Sequence, residues 1–453
     1  MATVAELLDK EFVVQSMDWV REGARREAYL MKHGDPEALK RGEEAEASPG
    51  DLDQAEQEVG DARDKEAETL SGAGGSSQEP YFPPMPVAGL TQSALHRFFV
   101  KEDLIQEPQG QGLAPSDIAV TDRSLRPGAL FGQTKKLFGA FSQTDAGWVS
   151  CKIAQGINWF RKPQPFSDTP ARLRIGDNAR VILVADWATA IPRARLIGQR
   201  MREQLLHPDA AGKEKHVIHL GDVYYSGWSN EYDDNFLHDW PVHAGEESRA
   251  RSWCLNANHD MFGGGHAYFG HLLKQPRFDQ QNGCSYFCLE NKHWQIFGLD
   301  TAYSEYDLHG NQAEWVKKLR AERPDSKAVM LSHHQLFSLY GEKESPKVED
   351  KLKSVLETDR VRAWFWGHEH RCAIYQRRHY IQSPRLIGHG GVPVWAPRKP
   401  KPLGVEFEYS AFLESGLEQF QRFGFAVLDF DDDKIGVRHI GEDGEPYWTE
   451  TLS

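Results

Sequence analysis

The sequence predicts an α/β fold, and three observations carry that expectation. Short apolar runs of strand length recur along the chain, among them RVILVAD, HVIHLGD, SWCLNANHD, KAVMLSHHQ and VRAWFWGHEH. Between the first two, DWATAIPRARLIGQRMREQLL spaces Leu196, Met201 and Leu205 as one helical face, and a strand, helix, strand order of that length suits a parallel crossover. Each of the five runs then ends in residues that bind cations or move protons rather than in a plain turn.

Four regions are expected along the 453 residues. Residues 1–33 carry Leu8, Phe12, Met17 and Val20 at helical spacing and read as an amphipathic helix. It either packs on its own domain or serves as a partner or oligomerisation element. Residues 34–83 are rich in Glu, Asp, Ala and Gly, nearly free of aromatics, and read as an acidic low-complexity linker. Residues 84–171 regain apolar content, with Ile153, Ile157 and Phe160 on one helical face, and form an accessory region without a ligand constellation. Residues 172–453 hold all five runs and read as the catalytic domain.

Within that domain, CSYFCLEN and HWQIFGLDT read as neighbouring strands, followed by a helix from Gln312 to Leu319 and the strand KAVMLSHH. Ser345 and Pro346 read as the N-cap and first-turn proline of the helix VEDKLKSVLE, and QLFSLYGEKE before it as a substrate-facing loop. RCAIYQ, FGFAVLDFD and KIGVRHI read as antiparallel strands, with IGHGGVP as a Gly-rich turn.

Composition excludes several classes. A formal net charge of −14 argues against nucleic acid or an anionic membrane as the main partner, since such proteins need a dominant basic surface. There is no apolar run long enough to span a bilayer, and MATVAELLDKEF has neither the n-region nor the h-region of a signal peptide, so a cytoplasmic protein is expected. The five cysteines are scattered; Cys284 and Cys288 flank SYF in a predicted strand and read as buried free thiols rather than a redox or zinc pair.

The five run ends supply carboxylate, amide and imidazole donors without thiolates, which suits Fe, Mn, Zn or Mg in a catalytic cluster rather than a structural zinc site. The order Asp186, GD at 221–222, NHD at 258–260, His333 and GHEH at 367–370 resembles the calcineurin-like metallophosphoesterase superfamily. That resemblance implies a four-layer αββα sandwich of two mixed sheets, here with an N-terminal helical extension, and a two-metal site at the carboxyl edges of the strands. It implies that Asp222 bridges the metals, that Asn258, His333 and His368 complete one site, and that Asp186 and His370 hold the other.

Two positions depart from the common pattern. Ala188 stands where most of the superfamily has a histidine, and Ala257 where it usually has glycine. The purple acid phosphatase branch also lacks that histidine and uses a tyrosine in GDxxY, which here is Tyr225, with Tyr224 beside it competing for the register. A phenolate favours ferric iron, so the expected cofactors are Fe paired with Fe, Mn or Zn.

Two cations roughly 3.5–4 Å apart make hydroxide available near neutral pH and clamp phosphoryl oxygens. His259 is left to donate a proton to the leaving alkoxide or to stabilise phosphoryl charge, and Asp260 to orient it. The expected activity is hydrolysis of a phosphoester, first a phosphomonoester. The alternatives are a phosphodiesterase acting on nucleotides or lipid head groups, and a scaffold with structural metals whose N-terminal region binds a protein partner. His216, His219, His389 and Asp300 read as structural.

Overall fold

The computed structural model describes residues 163–190, 192–392, 402–409, 412–415 and 418–453. The amphipathic helix, the linker and all but the last residues of the accessory region lie outside them.

Strands β1 (Ala171–Arg174) and β2 (Arg180–Val184) lead through helix α1 (Pro192–Leu206) to β3 (Lys215–His219) and β4 (Arg251–Cys254). Then come β5 (Phe287–Glu290), β6 (Trp294–Gly298), α2 (Gln312–Glu322), β7 (Lys327–Ser332), α3 (Pro346–Leu356) and β8 (Val361–Trp366). The remaining strands are β9 (Cys372–Tyr375), β10 (Ser383–Ile387), β11 (Val405–Glu408), β12 (Phe412–Ser415), β13 (Glu418–Gln421), β14 (Gly424–Asp431), β15 (Lys434–Gly441) and β16 (Pro446–Leu452). They form a sheet ordered β16-β15-β14-β2-β3-β4, a second ordered β1-β5-β6-β7-β8-β10-β9-β11, and the separate β12-β13 hairpin.

Alternation along the strands builds the layers. In β2, Val181 and Leu183 point into the core between the sheets, where they join Ile218 and Trp253 on one side and Leu289, Ile296, Val329, Leu331 and Phe365 on the other. Ile182 and Val184 face the opposite way and pack with Ile197, Met201 and Leu205 of α1. On the far face of the larger sheet, Phe297, Met330 and Trp364 meet Val316 and Leu319 of α2 and Val348, Leu352 and Val355 of α3. The outcome is helices, sheet, sheet, helices, the αββα sandwich expected. Each fully buried Val, Leu, Ile or Met contributes about 1.5–3 kcal/mol by leaving water, so β2, β3, β7 and β8, buried on both faces, are held in the middle layers of the sandwich.

The parallel crossover from β2 to β3 is present, with Val181 opposite His216 and Val184 opposite His219. β5 and β6 pair antiparallel, as do β14 and β15. Two local expectations change. Cys284 precedes β5 rather than lying in it, although Cys284 and Cys288 are both buried and free as expected. Ser345 occupies the N-cap of α3, but its hydroxyl makes no capping bond. Among the described residues, no helix is long and apolar enough to cross a membrane.

Candidate metal centre

All five ligand-bearing loops leave the carboxyl ends of strands, four of them central and one, β4, at the edge of its sheet. Asp186, Asp222 and Asn258 follow β2, β3 and β4 of the smaller sheet, and His333, His368 and His370 follow β7 and β8 of the larger one. The chain must turn sharply there. Asp186, Asp222 and His368 have φ of 53, 73 and 67°, conformations that cost a non-glycine residue roughly 1–3 kcal/mol and cluster at functional sites. Gly221 has φ 107°, and a Cβ on it would come within 2.5 Å of Ala257 Cβ and 3.1 Å of His333 Nδ1. A larger residue would push two of the loops apart.

Two groups of donors converge. Asp186, Asp222 and His370 each offer one atom within 4.8 Å of the others, and so do His333, His334 and His368. Asn258 joins the second group: its Oδ1 lies 2.9 Å from His333 Nε2 and 3.1 Å from His368 Nδ1. Asp222 touches both groups, with Oδ2 3.4 Å from His333 Nε2 and 3.0 Å from a phenol it shares with Asp186 and His370.

That phenol belongs to Tyr224, not Tyr225. Its Oη donates to Asp186 Oδ1 at 3.1 Å and to Asp222 Oδ2 at 3.0 Å, and lies 2.8 Å from His370 Nε2. The cause is local. Val223 bridges Ala188 and the Tyr224 amide donates to the Ala188 carbonyl, so the chain runs extended beyond Asp222 and residues two apart share a side. Tyr225 contributes its backbone: its carbonyl lies 2.5 Å from His259 Nδ1.

Asp260 also departs from its expected role. Its Oδ1 accepts from Tyr232 at 2.6 Å and its Oδ2 from the Asp222 amide at 3.3 Å, so it braces Asp222 while the Tyr225 carbonyl orients His259. His259 in turn donates its backbone N–H to Asp222 Oδ1 at 3.1 Å, leaving Nε2 3.9 Å from Asp222 Oδ2.

Three more residues matter that carry no sequence signal of their own. Glu231, 1% exposed, accepts the amides of Tyr225, Ser226 and Trp228 at 2.6, 2.9 and 2.9 Å and so fixes the loop after Asp222. His334 joins the second group of nitrogens, and Tyr306 lies 2.8 Å from His368 Nε2. The one available hint was that His334 directly follows His333 in the sequence. His216, His219 and His389 are buried and stand outside both donor groups, and Asp300 anchors a loop through the amides of Ala302 and Tyr303.

The electrostatics fit a cation. Burial pushes the Asp186 carboxyl up, and Asp222 beside it adds to the rise. Burial acts the same way on Asp222, but the imidazoles of His333 and His259 outweigh it and hold that carboxyl low. Burial opposes charge on His333, yet Asp222 drives it up to about 9. Burial lowers His370 to about 3, and burial followed by Asp222 raises Asp260 to about 7. Burial and the two carboxylates keep Tyr224 a neutral phenol. Two buried carboxylates thus draw a proton onto His333 while burial keeps His368 and His370 neutral, so the donor set calls for positive charge, which a metal ion displacing the His333 proton would supply.

Residues 179–372 match the family model of the calcineurin-like phosphoesterases. That stretch, less than half of the chain, is similar to a calcineurin-like phosphoesterase domain. The domain is that of a metal-dependent phosphoesterase, and the match spans β2 through the start of β9, which includes every ligand-bearing loop.

Among solved structures, an anchor in the inner membrane complex of Plasmodium is similar at 14% identity, covering 61% of this chain and 89% of that one with a TM-score of 0.45. A purple acid phosphatase from yellow lupin seeds is similar at 16% identity over 61% of this chain and 53% of its own, with a TM-score of 0.41. A dimetal phosphatase from Danio rerio is similar at 12% identity over 61% and 98%, with a TM-score of 0.38. The similarity thus spans about half of the lupin enzyme. Comparison with curated proteins gave no match.

Proposed function

We propose that the protein is a binuclear metal-dependent phosphatase acting on phosphomonoesters. One observation carries the reading: the Asp222 carboxylate lies between the Asp186, His370 and Tyr224 group and the Asn258, His333 and His368 group, within 3.4 Å of members of each. On this reading Asp186, Asp222, Tyr224 and His370 hold one ion, and Asp222, Asn258, His333 and His368 hold the other. Tyr224 takes the ligand role that the GDxxY pattern gave to Tyr225. A phenolate at this point favours Fe(III) in the first site with Fe, Mn or Zn in the second, and a cation there reverses the balance that otherwise keeps the phenol neutral.

When bound, such a pair of ions supplies a hydroxide nucleophile near neutral pH and neutralises charge on the phosphoryl group. The chain's own residues do the rest. Asp222 is kept charged and braced by Asp260, Tyr224 and the His259 amide. His259 donates its Nδ1–H in a hydrogen bond to the Tyr225 carbonyl, which leaves Nε2 facing the site. A phosphoryl anion arriving there favours the imidazolium, whose Nε2 proton goes to the leaving oxygen. Asn258, His368 and His370 are partly exposed, so both donor groups are open to substrate.

The test is hydrolysis of an aryl phosphate monoester against the matching diester by the full chain reconstituted with Fe, Mn or Zn. Preference for the monoester supports the phosphatase. Preference for the diester turns the assignment to a phosphodiesterase, and inactivity on both with metal bound turns it to a scaffold. Iron-loaded protein is expected to absorb in the visible, with the band lost in Tyr224→Phe and kept in Tyr225→Phe.

A further inference from the structure

Tyr306 stands on the loop between β6 and α2, and that loop is held from below. The Asp300 carboxylate accepts the amides of Ala302 and Tyr303 at 2.9 Å each and the side-chain amide of Asn256 at 3.1 Å, while the Thr301 carbonyl accepts the Tyr306 amide at 2.9 Å. The backbone at Tyr306 is left-handed, with φ 59°, a conformation that costs a bulky residue roughly 1–3 kcal/mol.

That conformation delivers the phenol to His368. Tyr306 Oη lies 2.8 Å from His368 Nε2. The ring packs against His334 with centroids 4.2 Å apart, and Lys343 Nζ lies 4.0 Å from its centre. The other nitrogen of His368, Nδ1, faces Asn258 Oδ1 at 3.1 Å and His333 Nε2 at 3.3 Å.

A neutral imidazole has one proton to place. It can present Nδ1 to a cation only if Nε2 keeps that proton, and an acceptor at Nε2 selects the tautomer and fixes the ring plane. A phenol oxygen is such an acceptor. We propose that Tyr306 is a positioning residue that accepts the Nε2 proton of His368 and so aims its Nδ1 at the site it shares with Asn258 and His333. The inference rests on the reading of His368 as a ligand given above.

The experiment uses the full chain stripped of metal and titrated with Mn²⁺ or Zn²⁺ by calorimetry, for the wild type, Tyr306→Phe and His368→Ala. Phenylalanine keeps the ring between His334 and Lys343 and removes only the oxygen. Tyr306→Phe is expected to weaken one of two equivalents by about 10–100-fold, the range for lost partners of a ligating histidine. The other equivalent and the unfolding temperature of the metal-free protein should not change. Unaltered affinity in Tyr306→Phe, with one equivalent lost in His368→Ala, overturns the positioning role and leaves the ligand reading intact. Retention of both equivalents by His368→Ala overturns the ligand reading and this inference with it. Equal weakening of both equivalents together with a lower metal-free unfolding temperature assigns Tyr306 to packing and overturns the proposal.

Discussion

Replacing Glu231 by Gln tests whether the loop after Asp222 is held by one carboxylate. Oε1 accepts the Tyr225 amide at 2.6 Å, and Oε2 accepts those of Ser226 and Trp228 at 2.9 Å each, in a residue that is 1% exposed. Glutamine has a single carbonyl oxygen, enough for the Ser226 and Trp228 pair, and its NH₂ would then oppose the Tyr225 N–H. One buried donor is left unsatisfied, a cost of about 1–3 kcal/mol, and the two remaining bonds lose the strength that a charged acceptor gives. The sum is about 2–4 kcal/mol, a large part of a typical folding stability of about 5–15 kcal/mol. Urea unfolding of the metal-free full chain measures it as a lower midpoint at unchanged slope. Turnover should fall as well, because the same loop carries Tyr224 and the carbonyl that orients His259. A loss below about 0.5 kcal/mol, within the range of ordinary surface substitutions, would refute the three-amide anchor.

Other expectations follow from the site and its surroundings. Asp222→Asn removes the carboxylate common to both donor groups, and metal analysis after dialysis should show loss of the cluster; an unchanged stoichiometry contradicts the bridging role. His259→Ala should keep its metals and lose turnover by about 10²–10⁴-fold, the usual worth of a positioned acid, whereas loss of metal from that variant would make His259 a ligand. Glu246 is held by the Arg202 guanidinium at 2.7 and 3.0 Å, which pulls its carboxyl down to about 2. A depressed carboxyl stabilises the fold above its unfolded value of about 4.5 and loses that contribution as pH falls from there toward 2. With screening at a partly exposed pair the effect is about 1–2 kcal/mol. Glu246→Gln should therefore cost that much at pH 7, by denaturant unfolding, and progressively less below pH 4.5; a cost independent of pH would exclude the ion pair as its source.

The strand ends were legible because a buried parallel strand has a plain signature, an apolar run, and because a ligand must follow it directly. RVILV then Asp186 and KAVMLS then His333 show both parts at once. The choice between Tyr224 and Tyr225 was not legible. It depends on Val223 pairing with Ala188, a contact across two loops that no local pattern encodes. Asp260 misled for a related reason: adjacency to His259 suggested a partner, but in the short helix Asn258–Phe262 neighbouring side chains diverge, and Tyr232 and the Asp222 amide claim its oxygens. Glu231 acts from the single-turn helix Ser229–Glu231 and Tyr306 from a loop, both too short to show periodicity, and only the folded chain brings them to their partners.

The donors come from two sheets, Asp186, Asp222, Tyr224 and Asn258 from one and His333, His368 and His370 from the other, and the sheets otherwise meet through the apolar layer between them. Ions held on the proposed ligand set would be a rivet between two plates. An ion at a hundredfold excess over its dissociation constant adds about 2.7 kcal/mol to folding stability, and here that sum opposes sliding of one plate over the other. Cofactor occupancy and the seating of the sheets are then a single thermodynamic variable. A methyl group deleted from Val329 or Leu183, with no contact to substrate, would register as weaker metal retention, and metal starvation would register as a looser core.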